Sequence, residues 1–250
     1  MARRLFYVHA VHGGGRAIVD GDSAAHLRRV LRVEAGQTYE LSDGERLYLA
    51  EITGFGLGTV EFSIIEQLSP RSPGASLVLY AALLKFDRFE WMIEKATELG
   101  AGRLIPLVTA RSEAGLEKAA LKRLPRWNRI AEESGQQCRR LRAMIVDPPL
   151  EFASVLAAPH AQRLLLDEDG VTPLLTILRS TPGEIALLTG PEGGWTSQER
   201  AASRDAGWSP ATLGQSVLRA ETAALAALSL VQGWFWVQAA VKNPSDKTRD

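Results

Sequence analysis

Two glycine turns near the C-terminal end hold the residues best suited to chemistry. The first, Thr189-Gly190-Pro191-Glu192-Gly193-Gly194, follows the apolar run Ile185-Ala186-Leu187-Leu188. No helix or central strand would accept such a loop. The second, Leu213-Gly214-Gln215-Ser216, leads through Val217 and Leu218 to Arg219 and Glu221. Backbone this bare lets a flat uncharged group such as a nucleobase lie close to it. Phosphate fits less well. Pro191 has no N–H to give an anion nest, and Glu192 puts a carboxylate where phosphate oxygens would sit. The spacing matches neither the dinucleotide fingerprint nor the Walker pattern. A ligand with an adenosine, a cationic centre and no phosphate suits the loop better, and S-adenosylmethionine is such a ligand. The alternative is that both turns merely reverse the chain.

Arg219 and Glu221 differ in how a helix start would receive them. A positive side chain in the first turn opposes the helix dipole, which disfavours a purely structural Arg219. Its alternative role is a hydrogen bond to a nearby loop. Glu221 suits a helix N-terminus electrostatically, so it reads equally as a structural charge or as a proton acceptor.

The elements that must position these residues are a strand before each turn and a helix after it. Ile185–Leu188 has the length of a buried strand. Thr196 starts a helix, with Glu199 three residues on at capping-box spacing. A short strand-like run precedes Leu213, and an apolar helix extends from about Arg219 to Ala240. Turns between strand and helix are where open α/β sheets place ligands.

Upstream, the same alternation continues. Leu77–Leu84, Leu104–Val108, Met144–Val146 and Arg163–Leu166 read as strands. Phe89, Met92, Ala96 and Leu99 fall at helical spacing with Gly100 as a stop, and a short helix lies near Phe152–Leu156. A helical region from Lys118 to Cys138 is expected to break near Pro125. Alternating strands and helices predict an α/β domain with a mostly parallel sheet.

Residues 1–70 read differently. Leu5–Val8, Gln37–Leu41, Arg46–Thr53 and Thr59–Ile65 are short strands, with Ser42-Asp43-Gly44 as a hairpin turn. One helix, Ala24–Arg32, has Ser23 as its expected N-cap and Leu27, Val30 and Leu31 on one face. The two prolines and glycine of Ser69–Gly74 mark a linker. The expected domains are therefore 1–70 and 74–241, with a polar tail at 242–250.

Composition narrows the function classes. Hydrophobic residues make up 46% of the 250 residues, enough for a proper core, and formal net charge is zero. The distribution of charge is less even. Between Lys118 and Arg142, eight Lys and Arg side chains face only Glu132 and Glu133. That excess suits a phosphate-binding surface; a solvated helix face is the alternative. A lone cysteine, Cys138, excludes an intrachain disulfide and suits a reducing compartment. No apolar N-terminal run resembles a signal peptide, so a cytoplasmic location is expected. The apolar C-terminal helix nearly reaches bilayer length, but Ser229, Gln232, Gly233 and Gln238 interrupt it, and no membrane span is expected. His9 and His12 are the only close histidine pair and nothing matches a zinc spacing, so no metal is expected.

The segments LLTGPEGGWTSQE (187–199) and LGQSVLRAETAALAAL (213–228) resemble the RsmE family of ribosomal RNA methyltransferases. The resemblance extends to HLRRVLR (26–32), KFDRFEWMIEKATELG (85–100) and WNRIAEESGQQCRR (127–140), so it covers nearly the whole chain in order. It implies a SPOUT-type α/β trefoil-knot domain preceded by a small PUA-like β-barrel that binds RNA. It also implies a homodimer and S-adenosylmethionine-dependent methylation of N3 of a uridine in 16S rRNA, free or in the small ribosomal subunit. Leu188–Gly194 and Leu213–Leu218 would form the cofactor pocket. Arg219 would supply the cation at a uridine carbonyl and Glu221 the base. Arg28, Arg29, Arg32, Lys85, Arg88, Arg111, Arg126, Arg139 and Arg140 are the candidate RNA contacts. Phe86 stands where members often have Gly, and Gln136 where they often have Glu, which bears on how RNA is gripped. The competing classes are a non-catalytic rRNA-binding protein and a small-molecule methyltransferase.

Overall fold

Strands that are apolar on both faces must be covered on both faces, and the second half of the chain is built on that requirement. A computed structural model describes residues 4–69, 74–179 and 183–242. They fall into two compact units, one drawn from 1–72 with 132–143 and the other from 73–131 with 144–250. Most of the expected linker and all but the first residue of the expected tail lie outside the described residues.

The first unit holds β1 (Leu5–Tyr7), β2 (Val11–His12), β3 (Arg16–Val19), α1 (Gly21–Arg29), β4 (Thr38–Ser42), β5 (Leu47–Phe55) and β6 (Val60–Leu68). The strands pair in the order β1-β4-β5-β6-β3-β2, antiparallel except for β1 with β4. Phe6, Val19, Leu27, Leu41, Ile52 and Phe62 form its core. Asp43 closes the expected hairpin, its Oδ1 accepting from the Glu45 and Arg46 amides at 2.9 and 2.7 Å. Residues 132–143 belong here through long-range bonds. The Tyr7 hydroxyl donates to the Arg140 carbonyl at 3.0 Å, and Ser42 Oγ to the Leu141 carbonyl at 2.7 Å. Helix α1 departs from the sequence reading. It starts after Asp20 rather than Ser23 and stops at Arg29. Val30 becomes its exposed cap rather than part of the apolar face. Arg32 then turns the chain with a φ of 49°, which ends any helix.

The second unit holds β7 (Leu77–Ala82), α2 (Phe86–Glu98), β8 (Arg103–Val108), α3 (Leu116–Gln137, its last turn counted with the first unit), β9 (Ile145–Val146) and β10 (Leu150–Glu151). It continues with α4 (Phe152–Val155), β11 (Gln162–Leu166), α5 (Leu174–Ile177), β12 (Ile185–Thr189), α6 (Ser197–Asp205), β13 (Ser209–Ala211) and α7 (Ala220–Lys242). The sheet is parallel throughout, in the order β10-β8-β7-β12-β11-β13, with β9 beside β8. Successive residues of β7 face opposite layers. Leu77 and Leu79 meet Phe89, Trp127 and Leu228 on one side, and Val78 and Tyr80 meet Trp195 and Trp208 on the other.

Helix α3 corrects the expected break, since it runs through Pro125. Proline removes one donor, which leaves the Leu121 carbonyl without its helical partner. Leu121 and Pro125 are exposed, so water can take that place, while the buried Ala120, Trp127 and Ala131 hold the helix down. Phe86 presents its ring to Trp127 at 5.8 Å and to the Arg123 guanidinium at 4.5 Å.

Helix α7 is long and apolar enough to cross a bilayer by length and composition. Its Ala224, Ala227, Leu228 and Val231 are buried, and it packs on α2, α5, β7 and β12. Leu230, Trp236, Val237 and Val241 are exposed, so the chain by itself does not surround the helix. Midway along it, the Gln232 amide accepts from the Ala75 N–H at 2.9 Å and donates to the Ala75 carbonyl at 3.1 Å.

Glu90 on α2 receives Arg126 through two bonds of 3.0 and 2.9 Å and Arg123 through one of 2.8 Å. The Arg126 bonds, followed by those of Arg123, hold its carboxyl below the ordinary carboxylate range. A lowered folded-state pKa stabilises the fold above the ordinary value, and that stabilisation drains away as pH falls through the folded value. Glu90→Gln should therefore cost about 1 kcal/mol near neutral pH and almost nothing in acid. Denaturant titrations across that range would measure it.

Candidate functional site

Parallel register brings three strand ends to one edge. Leu165 lies between Leu188 and Pro210, so β11, β12 and β13 finish side by side. The segments that leave them, with the start of α7 and Arg88 from α2, enclose a cavity of about 430 Å³. Its size falls within the range of small-molecule sites, and its place is the usual one in an open α/β sheet.

Its walls contain much of what the sequence singled out. Thr189, Gly190, Pro191, Glu192 and Gly194 come from the first turn, and Leu213, Gly214, Ser216, Val217, Leu218 and Arg219 from the second. Leu188 is buried within the sheet behind them. Gly193 and Gln215 belong to the same loops but lie off the wall. Glu221 is also off the wall. It is buried, and its Oε2 has no hydrogen-bond partner among the described residues. Arg219 is exposed on the other side of the same bend, because side chains two apart at a helix start do not share a face.

The glycines are shaped by close neighbours. A Cβ on Gly190 would come within 2.9 Å of the Trp195 ring. Gly194 has a φ of 68°, and a Cβ there would lie 2.9 Å from Glu168 Oε1. Trp195 is fixed in turn, its indole N–H donating to the Leu166 carbonyl at 2.8 Å. Helix α6 begins with the expected capping box between Thr196 and Glu199. Glu199 also accepts from the Ala110 amide at 2.9 Å, which ties the loop after β8 to the same helix start.

Among the described residues, six charged side chains line the cavity: Arg88, Arg200, Arg219, Asp167, Glu168 and Glu192. Arg88 pairs with Glu192 across the first turn. Arg200 reaches Asp167 at 2.9 Å and Asp169 at 2.8 Å, and donates to the Trp195 carbonyl at 2.9 Å. The bond to Asp167 raises its already high pKa. Neither Arg219 nor Glu168 has an ion-pair partner among the described residues. No group of three His, Cys, Asp or Glu side chains among the described residues could hold a metal ion.

Asp167, Glu168 and Arg200 were absent from the sequence reading, and Trp195 stood there only as part of the segment 187–199, without a role. The acidic run Asp167-Glu168-Asp169-Gly170 follows an apolar strand just as Gly190 does, and the rule applied to Gly190 would have found it. Arg200 left no such sign, because its partner is 33 residues away.

The candidate RNA contacts divide by what they touch. Lys85 is exposed at the start of α2. Arg88 and Arg111 brace the first glycine turn, Arg111 donating to the Gly193 carbonyl. Arg126 is held by Glu90. In the first unit, Arg28 donates to the Gly56 carbonyl at 3.0 Å and lies over the Phe55 ring. Arg29 and Arg32 are exposed, Arg139 sits 3.6 Å from Glu40, and Arg140 is half-buried.

Residues 70–232 match the family model described as an RNA methyltransferase domain. The chain is 33% identical over 240 residues to a ribosomal RNA small subunit methyltransferase E of Mycobacterium bovis, covering 92% of each protein. A relative of that name from Synechocystis is 34% identical over 214 residues, covering 82% of this chain and 69% of the relative. Among solved structures, it superimposes on the ribosomal RNA small subunit methyltransferase E of Neisseria gonorrhoeae bound to S-adenosyl methionine. That match has a TM-score of 0.85 and 27% identity, over 94% of this chain and 98% of the other.

Asp167 is buried, so removing Arg200 would leave a carboxylate with no compensating charge. Arg200→Ala should lower unfolding stability by about 3 kcal/mol, with partial recovery in Arg200→Lys. Urea titration of the two variants would show it.

Proposed function

The chain belongs to the RsmE family of ribosomal RNA methyltransferases, and from that membership we propose that it transfers a methyl group from S-adenosylmethionine to N3 of a uridine in 16S rRNA. The observation that carries the reading is the charge pattern of the cavity. Its two other arginines are bound to carboxylates, which leaves Arg219 as the wall cation free to meet substrate among the described residues.

The residues present fit the cofactor. Gly190 and Gly194 keep bare backbone on the wall, where a Cβ would collide with Trp195 or Glu168, and the wall has acids beside them. When bound, S-adenosylmethionine supplies a methyl group on a positive sulfur. Backbone of Thr189–Gly194 and Leu213–Leu218 would hold it there. N3 of uridine carries a proton between two carbonyls, and its lone pair becomes nucleophilic only as that proton leaves. Arg219 would stabilise the negative charge that then develops on a carbonyl oxygen. Glu221 has a buried oxygen without a hydrogen-bond partner among the described residues, and it would be the proton acceptor. To receive the proton from N3, the exposed loop Gly214–Arg219 would have to shift. The uridine must be unstacked to enter.

The same reading extends to the remaining features. The sheet of the first unit would be a PUA-like RNA-binding barrel and the second unit a SPOUT-type trefoil knot. The exposed arginines would contact rRNA or the small subunit. The exposed apolar residues of α7 favour a homodimer. The protein would work in the cytoplasm, where its substrate is made.

Mass spectrometry of rRNA nucleosides from cells with and without the protein tests the proposal. N3-methyluridine should disappear from the small subunit in the deletion, and its persistence would end the reading. Arg219→Ala should cut turnover by about 100-fold or more while cofactor affinity stays within about threefold. A Glu221→Gln variant that still transfers methyl would assign Glu221 to the helix start alone.

A further inference from the structure

Of the six charges that the described residues place on the cavity wall, four are already matched in pairs, Arg88 with Glu192 and Arg200 with Asp167. Arg219 and Glu168 remain, one of each sign. Arg219 has a role in the proposed reaction, and Glu168 has none. Glu168 is exposed in the first turn of chain after β11, with Oε1 leaning over Gly194. Arg200 lies near enough to feel its charge, but the donors of Arg200 are engaged by Asp167, Asp169 and the Trp195 carbonyl. Arg111 reaches the same glycine and is engaged by the Gly193 carbonyl. An unmatched carboxylate on a binding wall penalises an anionic ligand and rewards a cationic one.

We propose that Glu168 is a specificity residue, distinguishing a methyl donor with a positive sulfur from the neutral thioether that remains after transfer. The inference rests on the cofactor reading above. In the transfer, the sulfur–methyl bond breaks and its electron pair stays on sulfur. The methyl carbon bonds to N3, and the N3 proton goes to the acceptor. The positive charge on sulfur is thereby lost, while the amino, carboxylate and ribose groups are unchanged. Attraction to Glu168 that depends on the sulfur charge therefore holds the donor and releases the product. Attraction to any unchanged group would hold both alike.

Calorimetric titration of the purified full chain with S-adenosylmethionine and, separately, S-adenosylhomocysteine tests this. Glu168→Gln should weaken the donor by about threefold to tenfold and the thioether by less than about twofold, so that the preference for the donor collapses. Glu168→Asp should retain most of the preference. Because Glu168 is exposed, both variants should unfold at the wild-type midpoint. Equal weakening of the two ligands, or no change in either, would overturn the proposal while leaving the cofactor reading intact. Wild-type protein that binds neither ligand would overturn both.

Discussion

A carboxylate taken out of water must find a counter-charge, and Asp167 at the end of β11 finds it in Arg200 of α6. That one pair sets the geometry around it. Arg200 also holds the Trp195 carbonyl, Trp195 reaches back to Leu166, and the Trp195 ring lies where a side chain on Gly190 would have to go. The first glycine turn is therefore bare for a reason outside itself. It packs against an indole whose position is fixed by an ion pair at the end of the neighbouring strand.

Charge is used here more for construction than the sequence suggests. The basic excess between Lys118 and Arg142 reads as a phosphate-binding surface, yet Arg123 and Arg126 are bound to Glu90, and Arg142 donates to the Gly44 carbonyl. Such bonds do not remove the positive potential, but they fix where it sits. An arginine already oriented by a carboxylate loses less freedom when a phosphate arrives than one free in solvent. Phe86 belongs to the same arrangement, since it gives Arg123 an aromatic face while packing against Trp127.

How much was legible depended on how local the cause was. The strands at Leu77, Leu104 and Ile185 and the capping box at Thr196 follow from neighbours in the chain, and all appear close to where they were expected. Both glycine turns reach the cavity for the same reason. Pro125 misled because a local rule met a tertiary override: buried Trp127 and Ala131 hold the helix together past the proline. Val30 misled because α1 ended before the helical repeat could place it. Arg200 was invisible for a different reason. Its meaning arises from which elements lie together at the strand ends, and spacing along the chain does not encode that.

Gln232 has a consequence for how the molecule is made. Its amide satisfies the Ala75 N–H and carbonyl, polar groups at the threshold of the first strand of the large sheet, from a helix synthesised 157 residues later. The same helix supplies Ala220 and Ala223 to the cavity wall. While the chain is still emerging from a ribosome, those groups at Ala75 have only water for company, and one side of the cavity does not exist. Ligand capture thus belongs to the finished polypeptide, and a nascent one cannot begin it.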